Sequence, residues 1–162
     1  MKRNKKVVLL LMIYIAAVVL LTLVPFKDSV DFDVDYNLTM FKSINNYIKH
    51  MGNFGLINSD AVKYLPFQFI RFALAIFTVS FKNVLGNILL FLPFGLLSPY
   101  LIKCKKFISV LVYSALFSTF IEVMQYTFLT SRRADIDDVI LNTLGAVIGF
   151  IVYCIVKVMK KS

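Results

Sequence analysis

The sequence is poor in the residues that mark the common soluble enzymes. It has one histidine, two cysteines and no tryptophan among 162 residues, and only 17% of its residues are charged. It contains no Ser-His-Asp set, zinc-protease HExxH pattern, phosphate-binding loop or nucleophilic-cysteine arrangement, so a standard hydrolase is not supported. Cys104 and Cys154 show no metal-ligand spacing and lie near predicted cytoplasmic segments, which argues against a structural disulfide.

Apolar residues, by contrast, make up 59% of the chain, which is typical of a protein whose solvent is the bilayer. Four apolar runs are each about long enough to cross the hydrocarbon core as a helix. They cover residues 7–24, 84–102, 107–128 and 139–156. The first run lacks a small-residue cleavage site, so we expect it to stay as a helix. The sequence predicts an all-α polytopic membrane protein, with residues 1–162 as a single membrane domain.

The net charge of +9 is concentrated beside these runs. Basic clusters precede the first run (Lys2–Lys6), follow the second (Lys103–Lys106) and end the chain (Lys157–Lys161). This pattern indicates topology signals and contacts with anionic membrane lipids, and not nucleic-acid binding. The positive-inside rule then predicts a multi-pass protein of the bacterial cell membrane with both termini in the cytoplasm. Residues 25–83 and the loop 129–137 are expected to be extracellular.

A further apolar run, residues 64–81, is long enough to be a fifth span. As a helix it would align Gln68, Arg71 and Thr78 in a narrow polar stripe that continues to Lys82. This pattern favours an interfacial amphipathic helix lying on the membrane. A fifth span is the alternative, and it would move the second basic cluster to the opposite side.

Three predicted helices carry polar side chains near their extracellular ends. The pairs at helical spacing are Asn83 and Asn87, Glu122 and Gln125, and Asp138 and Asn142. Hydrogen bonds between helices, worth about 1 kcal/mol each in membranes, are the simple explanation for the amides. Glu122 is different, because an ionisable side chain below the interface costs about 2–3 kcal/mol unless it is paired or neutral. We therefore expect Glu122 to be functional, with Arg71, Arg132 or Arg133 as its partner.

The stretch Ser131–Asn142 adds two arginines and three aspartates at the start of the last helix. Asp135 is a candidate N-cap, and Asp138 has the spacing of the acid in a capping box. Capping accounts for one or two of the aspartates, but not for three, nor for the arginines. We therefore predict one shared ligand-binding site, formed by Asn87, Glu122, Gln125, Arg132, Asp135, Asp138 and Asn142.

The residue types leave the chemistry of this site open. Carboxylate and amide oxygens suit a divalent cation that meets a phosphate, whereas arginines and a helix N-terminus suit an anionic head group. A glutamate with a raised pKa could also act as a general acid or base. Transport, with Glu122 as a proton relay, ranks below these because the polar residues gather at one side of the membrane.

Three motifs in order, residues 83–97 (NVLGNILLFLPFGLL), 121–125 (IEVMQ) and 132–149 (RRADIDDVILNTLGAVIG), resemble the VanZ-like family of small bacterial membrane proteins. The segment 37–41 (NLTMF) is a weaker match, with Met40 where the family usually has proline. The resemblance carries over Asn87, Pro93, Gly95, Glu122, Gln125, Arg132, Asp135, Asp138, Asn142 and Gly145. Arg133 and Asp137 fall at positions that vary in the family.

The family is associated with reduced susceptibility to teicoplanin, a glycopeptide antibiotic with a lipid tail. The resemblance does not supply a molecular activity, but the association agrees with the topology prediction of a polar site in the outer leaflet, which we expect to bind an amphiphilic or lipid-linked anionic ligand. Such a ligand would be the antibiotic itself or a lipid-linked cell-wall precursor. The alternative is an enzyme that modifies an envelope lipid or glycan, with Glu122 as the acid or base.

Overall fold

In a computed structural model, the protein is described over residues 5–23, 36–64, 68, 75–100, 106–128 and 134–160. Four long helices are α1 (Lys5–Leu23), α3 (Val79–Leu97), α4 (Phe107–Phe128) and α5 (Ile136–Met159). A shorter helix, α2 (Lys42–Phe54), and two strands of two residues, β1 (Tyr36–Asn37) and β2 (Ala134–Asp135), lie between them. Short 3-10 helices cover Ser59–Tyr64 and Ser98–Tyr100.

The four long helices are each long and apolar enough to cross a membrane. The predicted all-α polytopic architecture is therefore confirmed. The second span, Val79–Tyr100, begins more than one turn before the predicted start at Val84. It begins there because Thr78 is still extended, with φ −61° and ψ 153°, and its carbonyl accepts the Lys82 N–H as the first helical bond.

The helices alternate in direction, so the bundle has two distinct ends. Leu23, Val79, Phe128 and Ile136 lie at the end that also carries β1, β2 and α2, which we call the strand end. Lys5, Lys106 and Lys157 lie at the opposite end, which we call the basic end. The described lysines of the three basic clusters thus share one end of the bundle, as the positive-inside interpretation requires, while Lys42, Lys49 and Lys82 lie at the strand end.

The contact between α3 and α5 is the most extensive in the bundle, and three glycines create it. A methyl group on Gly95 would overlap the carbonyl of Ala146, and one on Gly145 would overlap the carbonyl of Ile88. Gly149 meets Leu92 in the same way. Because apolar side chains gain little from leaving lipid, close backbone approach at small residues is what lets membrane helices associate.

Aromatic rings fill the space between α3 and α4. Phe91 is fully buried, and Phe117 packs against it and against Phe94 at centroid distances of 5.5 and 5.6 Å. The helix α3 continues through Pro93. The Tyr14 hydroxyl of α1 donates to the Leu90 carbonyl at 2.6 Å, in the turn that proline disturbs. The helix α1 is thereby attached to the bundle at this turn.

The predicted interfacial helix, residues 64–81, lies mostly outside the described residues. Ala75 is helical, but Ile76–Thr78 depart from the prediction and form a short ladder with Leu56–Asn58, through Asn58 N to Ile76 O and Thr78 N to Leu56 O. Residues 79–81 belong to α3. The backbone bonds of this segment go to another extended segment, so a helix cannot continue through it. Whether residues 65–74 form an interfacial helix stays a prediction.

The tight contact between α3 and α5 predicts that Gly95→Ala destabilises the protein. The added methyl group meets backbone atoms that cannot move aside, so we expect the free energy of unfolding to fall by about 1–3 kcal/mol. Denaturation of the purified protein in detergent, followed by circular dichroism, measures this.

Gly86→Ala is the matched control, because Gly86 is in the same helix and no neighbouring atom lies within 4 Å of the position that its added methyl group would take. We expect it to be neutral or to stabilise by up to about 1 kcal/mol. Equal effects of the two substitutions would contradict the packing described.

Candidate functional site

The strands β1 and β2 pair in parallel, with Tyr36 opposite Ala134 and Asn37 opposite Asp135. This pairing joins the segment after the first span to the residues that begin the last span. It is short, so backbone hydrogen bonds alone would hold it weakly. Side chains around it supply the rest of the attachment.

Asp135 holds both sides of this junction. Its Oδ1 accepts the Asp137 N–H at 3.0 Å, which caps the N-terminus of α5 as predicted. The same carboxylate accepts hydrogen bonds from the Asn37 amide at 3.0 Å and from the Ser43 hydroxyl. Asp135 therefore caps its own helix and binds the start of α2 at the same time.

Asp137 is the most deeply buried carboxylate described, with no exposed surface. It caps α2 from another part of the chain: Oδ1 accepts the Phe41 N–H at 2.6 Å, and Oδ2 accepts those of Ser43 at 2.7 Å and Ile44 at 3.0 Å. A carboxylate at a helix N-terminus also interacts favourably with the helix dipole. Phe41 has the left-handed φ of 64°, which a bulky residue rarely adopts, and its bond to Asp137 stabilises it there.

Glu122 connects α4 to the same junction. Its side chain is 7% exposed, and Oε2 accepts the backbone N–H of Asp135 at 3.0 Å. This N–H belongs to the N-cap residue of α5, so the carboxylate fixes the start of α5 against the last turns of α4. We call the four groups Glu122, Asp135, Asp137 and the Phe41–Ile44 backbone the carboxylate clasp.

Asp138 faces α3. Its Oδ1 accepts a hydrogen bond from the Asn87 amide at 2.7 Å, so these two residues of the predicted site are in contact. One turn earlier in α3, the Asn83 amide donates to the Tyr47 hydroxyl of α2 at 3.3 Å. Burial raises the pKa of Tyr47, the negative charge of Asp138 raises it further, and the bond from Asn83 opposes the shift. Tyr47 therefore stays a neutral hydroxyl at physiological pH.

Two residues of the predicted site lie elsewhere. The Gln125 amide donates to the Thr22 carbonyl at 3.1 Å, which connects α4 to α1. The Asn142 amide donates to the Ser118 hydroxyl at 2.8 Å, one turn further into the bundle than Glu122. Its Oδ1 has no hydrogen-bond partner among the described residues. Gln125 and Asn142 therefore form hydrogen bonds between helices, which was the simple explanation for the amide side chains.

Beside the clasp, a groove of about 480 Å³ opens between α4 and α5. Its lining residues are Tyr36, Leu38, Thr119, Glu122, Val123, Tyr126, Ala134, Asp135, Ile136 and Val139. Val123 and Tyr126 are 52% and 46% exposed, so the groove is open along its side. Tyr36 packs edge-to-face on Tyr126 with centroids 6.3 Å apart and thereby places β1 against α4. The groove has apolar walls, with Glu122 and Asp135 as its acidic groups.

The structure thus brings together part of the predicted site. Glu122 and Asp135 contact each other and line the groove, while Asn87 and Asp138 pair between α3 and α5. Arg71, Arg132 and Arg133 lie outside the described residues. Among the residues described, no group of three or more histidine, cysteine or acidic side chains is placed to hold a metal ion.

The sequence interpretation missed Asn37, Ser43 and Asp137. Asn37 had a signal in the weak match of residues 37–41. The signal for Asp137 was less direct: capping of the last helix accounted for at most two of the three aspartates, so one remained without a role. The three aspartates now have separate partners: Asp135 caps α5, Asp137 caps α2 and Asp138 accepts from Asn87.

The clasp predicts that Asp137→Ala loosens α2 while the spanning helices persist. Three backbone N–H groups lose their acceptor, so we expect a loss of about 1–3 kcal/mol. Hydrogen exchange by mass spectrometry should show faster exchange in the peptide that covers residues 41–54.

Asp60→Ala removes a carboxylate from an exposed position in the 3-10 turn and is the control. It should leave exchange in α2 unchanged. Unaltered exchange of α2 in Asp137→Ala would show that the cap does not hold this helix.

Comparison with known proteins identifies the family to which the chain belongs. It is 33% identical over 76 residues to "Protein VanZ" of Enterococcus faecium, an alignment that covers 47% of this chain and 47% of that protein. The chain thus matches about half the length of this curated relative, and no solved structure matches it significantly. The model of the VanZ/LLP1 family matches residues 10–157, which include most of the first span, nearly all of the other three and the clasp. The chain belongs to the VanZ/LLP1 family.

Proposed function

We propose that this multi-pass membrane protein binds an amphiphile in the groove between α4 and α5. The ligand's acyl or other apolar part lies against Val123 and Val139, and its polar head group meets Glu122 at the clasp. Through this binding, the protein lowers susceptibility to lipid-tailed glycopeptide antibiotics of the teicoplanin type. The observation that carries the proposal is that apolar walls and a buried carboxylate meet in one laterally open groove.

The size and composition of the groove support this class of ligand. A volume of about 480 Å³ is within the range of small-molecule sites, which are mostly apolar with a few placed polar groups. Because α4 and α5 are both membrane-spanning, the open side of the groove faces lipid. An amphiphile would enter from the bilayer without first crossing water.

The orientation of the chain belongs to the proposal. The basic end lies in the cytoplasm by the positive-inside rule, and the strand end then faces outward. The groove lies in the outer leaflet, where a lipid-tailed antibiotic or a lipid-linked cell-wall precursor is met. Membership in the VanZ/LLP1 family and the alignment with Protein VanZ support the link to glycopeptide susceptibility.

The residues have distinct roles in this proposal. Glu122 accepts hydrogen bonds from N–H or O–H groups of the head group, and Asp135 holds Glu122 in place through its backbone N–H. Asp138 and Asn87 fix the start of α5 against α3. Arg132, which precedes β2 in the sequence, supplies the positive charge for an anionic head group. Asp137 acts from outside the groove by holding the segment that contributes Tyr36 and Leu38.

Filling the groove tests the proposal most simply. Val123→Phe places a ring where the apolar part of the ligand would lie, so we expect binding of a fluorescent lipid-tailed glycopeptide to weaken at least about tenfold, or ~1.4 kcal/mol. In a susceptible bacterial host, the inhibitory concentration of teicoplanin should return to that of cells without the gene.

Val112→Phe is the matched control, since Val112 is also in α4, is 45% exposed and does not line the groove. It should bind and protect as the original protein does. If both variants behave alike at equal membrane levels, the ligand does not occupy this groove.

Glu122→Gln separates head-group recognition from apolar binding. The amide keeps the size of the side chain and an acceptor for the Asp135 N–H, but it loses the charge. We expect reduced protection against teicoplanin with little change in stability, measured as the inhibitory concentration beside a thermal denaturation curve. Full protection by Glu122→Gln and by Arg132→Ala would refute the role of these charges.

The proposed orientation predicts which positions an impermeant thiol reagent can reach. In a variant without Cys104 and Cys154, a cysteine replacing the exposed Asn53 should be labelled on intact cells. One replacing the exposed Lys160 should be labelled only after lysis. The reverse pattern would place the groove in the inner leaflet.

A further inference from the structure

The helix α2 is attached at both ends to the strand end of the bundle. Asp137 at the start of α5 binds its N-terminus, and after its C-terminus the ladder between Leu56–Asn58 and Ile76–Thr78 leads directly into α3. The body of α2 contacts α3 and α5. At 1.5 Å per residue, the 13 residues of α2 span roughly 20 Å. Because the helix is attached near both of its ends, it lies across the bundle end and does not project from it.

One face of α2 is apolar and the other is polar. Ile44, Tyr47 and Met51, at helical spacing, are half-buried towards the bundle. The opposite face carries Lys42 and Lys49 with exposed asparagines, and α2 has no acidic residue. This is the pattern of a helix that lies in a membrane interface.

Part of the apolar face extends past the bundle. Ile48 lies on the face of Ile44 and Met51, yet it is 57% exposed, and Phe54 at the end of the helix is 68% exposed. Leu56, in the loop that follows, is 49% exposed. Because α2 contacts the strand-end turns of α3 and α5, these exposed apolar side chains lie at the level where spanning helices end.

We infer that α2 is a membrane-interface anchor, with Ile48, Phe54 and Leu56 inserted among the lipids around the bundle. Its lysines lie at the level of the phosphates and favour an anionic bilayer surface. A second copy of α2 would offer these lysines no acidic partner, whereas an anionic bilayer surface does. This inference does not depend on the proposed ligand or on which leaflet contains the groove.

The absence of tryptophan from the chain allows a direct test. Ile48→Trp and Asn46→Trp each introduce one fluorophore, on opposite faces of α2. The full-length protein is reconstituted into vesicles of phosphatidylcholine and phosphatidylglycerol, with or without bromine on the acyl chains. We expect Ile48→Trp to emit at shorter wavelength and to lose most of its intensity in brominated vesicles, while Asn46→Trp is quenched by acrylamide in the water.

Phe54→Trp provides a second inserted position if Ile48→Trp does not fold. The inference is overturned if tryptophans at positions 46 and 48 are equally open to acrylamide. It is also overturned if the residue at 48 escapes both quenchers and its protection rises with the protein-to-lipid ratio, because a second copy would then cover the surface.

Discussion

The interaction on which the strand end depends is the bond between the Asp137 carboxylate and the N-terminus of α2. It joins two segments more than 90 residues apart, and it leaves no oxygen of a fully buried acid without a hydrogen bond. A buried carboxylate is costly unless such donors satisfy it, so the cap and the burial stabilise each other. Once α2 is fixed, β1 can pair with β2, and Tyr36 can pack on Tyr126.

The groove is a consequence of this arrangement and of the close contact between α3 and α5. Gly95, Gly145 and Gly149 let those two helices touch, while Glu122 and Asp135 set the position of α4 relative to the start of α5. The glycines of α5 face α3. The groove lies on the other side of α5, towards α4. The charges at the strand end thus serve first to assemble the walls of the groove. In the function proposed above, the groove then brings Glu122 within reach of a ligand from the bilayer.

The sequence predicted the spans well, because length and hydropathy alone determine which helices can cross a bilayer. It also predicted that Asn87 and Asp138, and Glu122 and the Asp135 region, would meet, since helical spacing places polar stripes inward. It could not predict that Asp137 caps α2, because that bond joins residues more than 90 positions apart, and the neighbouring strands, with two residues each, leave no pattern in the sequence. Gln125 and Asn142 have the same pattern as Glu122, and only the structure shows that they bond to α1 and to Ser118.

The most direct test of the account is photo-crosslinking from the groove in living cells. A benzophenone amino acid at position 123 should form an adduct with an amphiphile whose mass identifies it, and the adduct should be lost when Asp137→Ala releases the segment that carries Tyr36 and Leu38. The absence of any amphiphile adduct from position 123, or the same adduct with and without the Asp137 carboxylate, would contradict a ligand groove assembled by the clasp.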